Sequence, residues 1–439
     1  MPLISPMSLS LIVFLIAYLF IATEKVDKTV AALLGAMTVI GLHLAPYEEL
    51  LHKVDLNVVF LLVGMMIIVN VLSTTGVFEW VAITIAQKAR GNGILILILF
   101  VLVTAGISAL LDNVTTVILI APVTILITQL LELPTVPFLI MEAIFSNIGG
   151  TATLVGDPPN IVIGSQTSLT FNDFLINLSP IILAMMILFS GILVMLFARR
   201  TKVGEDMKKR VALAKPDKAI IRPKVLWRAL PVFGLVLLGF FLSRTLNIEP
   251  GAVAMTGAFL MLLVCKVHVH EALEKVEWST ILFFIGLFIM IGSLEHNHVF
   301  ELMGKKIVAL TSGKLFLTAL VILWASAILS AIVDNIPLVI AMIPVIKSII
   351  PSFSTQMHLT AIQTHAQITA PLFWALALGA CLGGNGTLIG ASANVVISQI
   401  ARRNRYRLTF MDFTRYGVPF TFLSLLMSTV YLYLRYFRN

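Results

Sequence analysis

Two Asp-Asn pairs inside long apolar stretches are the residues of this 439-residue chain best suited to chemistry. Asp112-Asn113 and Asp334-Asn335 are 222 residues apart, and Pro-Val follows nine residues after each Asn. A carboxylate within a membrane is costly and by default marks an ion path or a proton relay. Each Asp is also predicted to cap the helix that follows it.

Two glycine-rich segments, 149–160 and 383–394, align at an offset of 234. The chain is therefore an internal duplication, and an insertion of twelve residues within 346–370 explains the change of offset. In the first segment Asp157 precedes two prolines, which predicts an N-cap followed by a helix start. The glycines permit close approach of the backbone.

The two halves differ in their acidic residues. Asp157 aligns with Ala391 and Glu142 aligns with Leu376, so these acids occur only in the first half. A requirement of the fold alone would more often be mirrored. The predicted carriers of a coupling proton or cation are Asp112, Asp157, Glu142 and Asp334.

The predicted solute-binding residues share side-chain oxygens or lie at the glycine-rich breaks. They are Asn113, Thr115, Thr116, Asn147, Gly150, Thr151, Thr153, Asn160, Asn335, Cys381, Asn385, Thr387, Ser392 and Asn394. Such oxygens suit a hard cation or a small neutral hydroxylated solute, and a thiol favours a thiophilic metalloid. The absence of Lys and Arg from the breaks argues against a dicarboxylate or phosphate, although helix N-termini can also hold anions. No structural metal site is expected.

The composition indicates the elements that must position these residues. The chain is 59% apolar and 12% charged, with a mean hydropathy of +1.01, whereas soluble domains are about 25% charged. Apolar runs of about 20 residues predict membrane-spanning helices, and their lack of alternation argues against a barrel. We predict an all-α polytopic membrane protein without a cofactor.

Charge predicts the arrangement of the halves. Residues 1–198 form the first repeat and 229–439 the second, joined by the linker 199–228, which holds eleven Lys or Arg against three acids. This excess places the linker in the cytoplasm and requires no nucleic-acid partner. The loop 165–170 has no basic residue, whereas 401–407 has four arginines. The difference predicts that the repeats are inverted.

Inverted halves require an odd number of crossings. Five per half leaves the segments around 112 and 334 to enter and leave on one face, as re-entrant hairpins with arms of about ten residues. Breaks at membrane depth persist only where protein or a water-filled cavity surrounds them. At matching positions of two repeats, they indicate the midplane binding site of a secondary transporter. We therefore predict about ten transmembrane helices, two opposed hairpins and two broken helices.

Two motifs carry a family resemblance. The residues Asp112-Asn113-Val114-Thr115-Thr116 and the run from Asn147 through Gly149-Gly150-Thr151 to Asp157-Pro158-Pro159-Asn160 resemble the ArsB/NhaD group of the ion transporter superfamily, and the similarity spans nearly the whole chain. That group includes arsenite and antimonite efflux permeases and sodium/proton antiporters. It is similar in architecture to divalent anion:sodium symporters, in which Ser-Asn-Thr occupies the hairpin tips.

The resemblance implies a scaffold with a moving transport unit, and it adds two candidate partners, a second copy of the chain and a cytoplasmic ATPase subunit. We expect a multi-pass protein of the bacterial inner (plasma) membrane that exports arsenite or antimonite as protons enter. Sodium or lithium/proton antiport is the alternative, with H⁺ or Na⁺ as the coupling ion. A third reading, an intramembrane aspartyl hydrolase, would use Asp112 and Asp334 as a dyad.

Overall fold

The first half of the chain is a series of ten helices. The computed structural model describes residues 5–23, 25–201, 203–204 and 216–438, and all regular secondary structure in these ranges is helical. The helices of the first half are α1 (Pro6–Thr23), α2 (Lys28–Gly41), α3 (Tyr47–His52), α4 (Leu56–Ser73), α5 (Val77–Lys88), α6 (Gly93–Ser108), α7 (Asn113–Leu130), α8 (Thr135–Gly150), α9 (Pro158–Gln166) and α10 (Phe171–Phe197).

The second half repeats this order after a short 3-10 turn at Pro216–Ala219. Its helices are α11 (Pro223–Leu246), α12 (Pro250–Cys265), α13 (Val269–Glu274), α14 (Trp278–His296), α15 (Val299–Leu310), α16 (Leu315–Ile332), α17 (Asn335–Gln356), α18 (Ala361–Thr364), α19 (Ala370–Gly383), α20 (Ser392–Arg403) and α21 (Phe410–Leu432). Helix α18 and a π-helical turn at His365–Thr369 lie within the predicted insertion.

Both predicted hairpins are present, but their arms are longer than expected. Helices α6 and α7 meet at Asp112 and contain 16 and 18 residues, and α16 and α17 meet at Asp334 and contain 18 and 22 residues. The expectation of about ten residues per arm was wrong. Internal prolines such as Pro122 do not end the descending helices, because neighbouring groups in a membrane protein re-satisfy the freed backbone.

Ten helices in the described part of the chain are long and apolar enough to cross a membrane. The all-α polytopic membrane fold is therefore confirmed. The ten do not match the predicted crossings one for one, since three of them are the hairpin arms α7, α16 and α17, while α2, α8 and α12 are shorter. The inverted orientation and the cytoplasmic linker stay predictions, and residues 202 and 205–215 of that linker lie outside the described residues.

The broken helices pack directly on the hairpins through glycine. A Cβ on Gly149 of α8 would overlap the carbonyl oxygen of Ala105 on α6, and one on Gly383 of α19 would lie 2.5 Å from the carbonyl oxygen of Ala327 on α16. Only glycine permits backbones to approach this closely. The packing brings each break beside the tip of its own hairpin.

The extended segments after the glycines are fastened to the hairpins by hydroxyls. The Thr153 hydroxyl donates to the carbonyl oxygen of Ala109 over 2.5 Å, and the Thr387 hydroxyl donates to that of Ala331 over the same distance. These carbonyls end α6 and α16, where helix geometry leaves them without a partner. Two predicted solute-binding threonines therefore hold backbone.

Candidate functional site

The two hairpin tips meet at one carboxylate. The Asn113 amide nitrogen donates to Oδ1 of Asp157 over 3.2 Å, and the Asn335 amide nitrogen donates to the same oxygen over 3.4 Å. Asp157 is 0% exposed. The break between α8 and α9 thus brings an acid of the first repeat into contact with the tips of both repeats.

Asp157 starts α9 without capping it. Its backbone is extended and Pro158 begins the helix as predicted, but the carboxylate accepts no backbone hydrogen bond there. Pro159 at N2 has no N–H and so removes one of the two donors that a capping side chain can accept from, and the Asp157 side chain faces the tips instead. Its second oxygen, Oδ2, is buried with no hydrogen-bond partner. An unpaired carboxylate oxygen in such surroundings is unfavourable, which makes Asp157 a candidate for binding a proton or a cation.

Asn147 links the first tip to the second break. Its Oδ1 accepts from Asn113 over 2.9 Å, and its Nδ2 donates to Oδ1 of Asn385 and of Asn394 over 2.8 and 3.0 Å. Asn147 is fully buried, and Asn385 and Asn394 are at most 1% exposed. Satisfied buried networks of this kind fix a unique arrangement, and this one joins the repeats.

The equivalent residues Asn160 and Asn394 hold the extended part of each break. Asn160 donates to the carbonyl oxygens of Thr151 and Thr153 over 3.1 and 2.9 Å. Asn394 donates to those of Gly384 and Thr387 over 2.8 and 3.0 Å. Backbone that leaves a helix at membrane depth needs such partners.

Cys381 places a thiol at this network. Its Sγ lies 3.5 Å from Oδ1 of Asn160, and the side chain is fully buried. The residue aligns with Asn147, so the two repeats place different chemistry at equivalent positions. A thiol is a soft ligand, in contrast to the amide oxygens around it.

The tip aspartates have different surroundings. Asp112 caps α7 as predicted, accepting from the backbone nitrogen of Thr115 over 2.8 Å and from its hydroxyl over 2.6 Å. Thr116 donates to the carbonyl oxygen of Asp112 over 2.9 Å. Asp334 caps only weakly, with 3.5 Å to the backbone nitrogen of Ile336. Asp112 and Asp334 therefore form hydrogen bonds and an ion pair with different groups and not with each other. The aspartyl hydrolase hypothesis requires them to contact each other as a dyad.

Asp334 forms an ion pair that the sequence did not indicate. Lys28, the first residue of α2, places Nζ 3.0 Å from Oδ2 of Asp334 and 3.1 Å from Oγ of Ser392. Ser392 in turn donates to Oδ2 of Asp334 over 2.9 Å. The Lys28 ammonium also lies 5.3 Å from the ring centroid of Phe283, within reach of a cation–π interaction. A cation from another helix thus reaches the second break, although neither break contains one.

Glu142 lies outside the asparagine network. It is 1% exposed and accepts a short hydrogen bond from the Thr124 hydroxyl, while Oε2 is buried without a partner. Helix α8 carries it about a turn and a half before Asn147.

Gly150 and Thr151 shape the backbone of the first break. A Cβ on Gly150 would overlap the carbonyl oxygen of Gly156, and the Thr151 hydroxyl donates to the carbonyl oxygen of Asn147.

The structure therefore brings together eight of the predicted site residues. Asp157 and five of the six predicted asparagines form one hydrogen-bonded network, and the thiol of Cys381 contacts the sixth asparagine, Asn160. The eight residues are Asp157, Asn113, Asn147, Asn335, Asn385, Asn394, Asn160 and Cys381. We call these residues the Asp157 cluster. Of the remaining hydroxyls, that of Thr115 donates to the Asp112 carboxylate and that of Ser392 to the ion pair, and the others donate to backbone carbonyls.

Two cavities flank the Asp157 cluster. The first, called the Asp334 cavity, has a volume of about 370 Å³ and is lined by Lys28, Asp334 and Ser392 and by residues along α20. The second, called the Lys347 cavity, also has a volume of about 370 Å³ and is lined by residues of α9 and α17, including Gln166 and Lys347. Helix α9 leads from Asp157 into the Lys347 cavity, and α20 leads from the second break along the Asp334 cavity.

The Lys347 cavity has its own ion pair. Lys53 lies 3.0 Å from Oε1 of Glu295, and the Lys347 ammonium lies 3.5 Å from Oε1 of Gln166. Sequence spacing gave no signal for these residues or for Lys28, because the partners are between 181 and 306 positions apart.

Comparisons with known proteins agree with this architecture. A family model described as "Citrate transporter" (CitMHS) matches residues 18–379. The chain is 42% identical over 432 residues to a "46 kDa membrane protein" of Mycobacterium leprae, covering 98% of each. It is 32% identical to the "P protein" of Homo sapiens, covering 94% of this chain and 58% of that protein. The crystal structure of the Alcanivorax borkumensis YdaH transporter is similar with a TM-score of 0.61 at 13% identity, covering 98% of both chains. That likeness shows the fold.

Proposed function

We propose that this membrane transporter, which belongs to the citrate transporter (CitMHS) family and is not an enzyme, exports a neutral metalloid hydroxide, arsenite or antimonite, in exchange for protons. The narrower ArsB/NhaD assignment is part of this proposal. So are the two partners suggested by the resemblance, a second copy of the chain and a cytoplasmic ATPase subunit.

The Asp157 cluster carries the proposal. Its amides both donate and accept hydrogen bonds, as a neutral solute with several hydroxyl groups requires. Cys381 adds a soft ligand suited to a thiophilic element. Asp157 is the only carboxylate in the cluster, so a neutral solute meets no strong repulsion there.

The coupling proton is assigned to Asp157. Oδ1 is held by the two tips, while Oδ2 has no partner. A proton on Oδ2 would neutralise a fully buried charge, and its loss would restore the charge that strengthens the hydrogen bonds of the tip amides to Oδ1. The state of one carboxylate therefore bears on both hairpins, which is what coupling requires.

In this proposal the two cavities are the access routes to the Asp157 cluster. The Lys347 cavity runs along α9, which begins next to Asp157, and the Asp334 cavity runs along α20, which begins next to the second tip. Alternating access opens a fixed midplane site to one side at a time. In this chain the site would be the Asp157 cluster, and the moving unit would include the hairpins and breaks.

The charge balance favours this solute over citrate, which the family description names. A tricarboxylate would place several negative charges beside Asp157. The cation that reaches the second tip, Lys28, is already paired with Asp334, whereas anion sites in proteins are typically built around Arg or an uncommitted basic group. A neutral solute needs no such group.

A specific observation favours one second candidate, sodium or lithium/proton antiport. Oδ2 of Asp157 is an unpartnered carboxylate oxygen among amide groups, and hard cations select oxygen ligands of this type. Asp157 would then bind Na⁺ and H⁺ in turn. The thiol of Cys381 has no role in this candidate.

Transport by purified protein in proteoliposomes distinguishes the candidates. With an imposed proton gradient, arsenite, antimonite, Na⁺, Li⁺ and citrate are each offered in turn, and solute flux and internal pH are recorded together. Metalloid flux accompanied by proton movement supports the proposal. Proton movement driven by Na⁺ or Li⁺ without metalloid flux transfers the protein to the second candidate, and citrate flux alone refutes both.

A further inference from the structure

A groove between α10 and α21 lies away from the Asp157 cluster and has no role in the proposed transport. It has a volume of about 420 Å³. Apolar side chains form its walls, among them Leu196 on α10 and Phe420 and Leu423 on α21. The α10–α21 groove is thus shaped for a chain of apolar groups rather than for the polar solute.

Two arginines stand at the rim of this groove. Arg200 follows the end of α10, Arg415 lies in the second turn of α21, and both side chains are exposed. No carboxylate among the described residues forms an ion pair with either of them. The acid nearest to Arg415 in sequence, Asp412, accepts instead from the hydroxyl and backbone nitrogen of its own N-cap, Thr409. The rim therefore carries two positive charges that no acid of the described residues pairs with.

The α10–α21 groove lies next to two basic segments of the chain. Arg199 adjoins Arg200, and the loop 401–407 that leads into α21 carries four more arginines. Basic excess of this kind marks the cytoplasmic side of a membrane. The cytoplasmic leaflet is also where anionic lipids concentrate, and basic pockets between helices on that side bind their headgroups.

We propose that the α10–α21 groove binds one anionic phospholipid of the cytoplasmic leaflet, with an acyl chain along the apolar walls and the headgroup phosphate between Arg200 and Arg415. Arginines that simply face headgroups would need no cavity beside them. Here the charges and the apolar groove are continuous, so both parts of one lipid are matched.

The position of the groove gives such a lipid a path to the transport machinery. Phe420 on its wall packs edge-on against Phe189 at 4.8 Å between ring centroids, and Phe189 packs against Phe145 of α8 at 6.5 Å. Phe145 precedes Asn147 by two residues. On the other face of α21, Gly417 lies against the backbone of Asn385.

Native mass spectrometry of the full chain tests the proposal with two lipids that share their acyl chains, phosphatidylglycerol and phosphatidylcholine. The matched variants are Arg200→Gln/Arg415→Gln in the groove and Arg402→Gln/Arg403→Gln at the same basic end outside it. Each charge near a membrane surface contributes about 1 kcal/mol, so loss of two predicts about 30-fold weaker phosphatidylglycerol binding, at 1.4 kcal/mol per tenfold. The control pair should retain wild-type binding.

A second variant tests the apolar part with the charges intact. Leu423→Trp fills the groove and should lower phosphatidylglycerol retention while leaving Arg200 and Arg415 in place. Equal retention of both lipids by the wild type overturns the proposal, as does an equal loss in the control pair. Competition by millimolar inorganic phosphate that matches the effect of the groove variants would also overturn it, because a free anion and not a lipid would then be bound.

Discussion

Breaking the Lys28–Asp334 ion pair should impair transport in a way that a second substitution repairs. Lys28→Met removes the cation that faces a tip carboxylate of 13% side-chain exposure, and Asp334→Asn removes the carboxylate that faces an ammonium of 36% side-chain exposure. The double variant leaves neither charge. Removing one partner of a poorly solvated pair is the costly change, while removing both is often tolerated.

The size of the effect follows from the geometry. At 3.0 Å and an effective dielectric constant of about 20, the attraction is about 5.5 kcal/mol before desolvation. Partial solvation of Lys28 and the cost of removing both charges from water reduce the coupling energy to about 2 kcal/mol, within the range measured for contacting residues. That energy corresponds to about a 30-fold departure from additivity in transport rate.

The control is a pair with the same separation whose acid is better solvated. Lys53 and Glu295 are also 3.0 Å apart, with 34% and 46% of their side chains exposed. Exposed pairs contribute about 1 kcal/mol or less, so Lys53→Met/Glu295→Gln should depart from additivity by less than about fivefold.

Initial rates of gradient-driven flux in proteoliposomes provide the assay for the four members of each cycle, with solubilised yield as the check on folding. If the Lys28→Met/Asp334→Asn double variant loses the product of the two single losses, the pair does not act as a unit and this reasoning is refuted.

Three further predictions concern the breaks. Gly150→Ala should lower the free energy of unfolding by about 3 kcal/mol, because a methyl group would overlap the carbonyl oxygen of Gly156 and backbone cannot yield as a side chain does. The control is Gly191→Ala, since nothing lies within 4 Å of the Cβ that it adds. Equal melting temperatures of the two variants in detergent would contradict the packing. Asn147→Ala removes three side-chain hydrogen bonds at about 1 kcal/mol each, so its melting temperature should also fall, and an unchanged value would show that the network is not structural. Cys381→Ser should keep the fold but lower metalloid flux by about tenfold or more, as the loss of a ligand partner does, while an equal loss of Na⁺-dependent flux would remove the argument from the thiol.

Much of the fold was predictable because its signals are local or periodic. Apolar length indicates spans, and the duplicated Asp-Asn pairs place both hairpin tips. Asp112 caps α7 as its position before a helix requires. The arm lengths were underestimated, since arms of about ten residues were expected, whereas α7 continues through Pro122 to Leu130.

The site was predictable as a list of residues but not as a set of contacts. The asparagines at 113, 147 and 160 were identified because they bring side-chain oxygens to the tips and breaks, where a solute was expected to bind. The hydroxyls of Thr153 and Thr387 looked equivalent in sequence, yet they bond backbone carbonyls. Composition alone cannot distinguish an oxygen that holds the fold from one that faces a solute.

The missing element was Lys28. It is the first residue of α2 and follows a loop that contains Lys25, and a basic residue is ordinary at such a place. It aligns with Pro250, so the duplication does not indicate its partner. Its contact with Asp334 spans 306 positions and depends on how α2 packs beside the second hairpin. Only tertiary structure reveals a pair of this kind.

The central claim, that Asp157 carries the coupling proton, is tested most directly by comparing Asp157→Asn with the change at the other fully buried acid, Glu142→Gln. In proteoliposomes with an imposed proton gradient, we predict that Asp157→Asn abolishes the response of solute flux to the gradient. Glu142→Gln should retain that response, because Glu142 bonds Thr124 and not the hairpin tips. A wild-type gradient response in Asp157→Asn, or its loss in Glu142→Gln alone, would contradict the account.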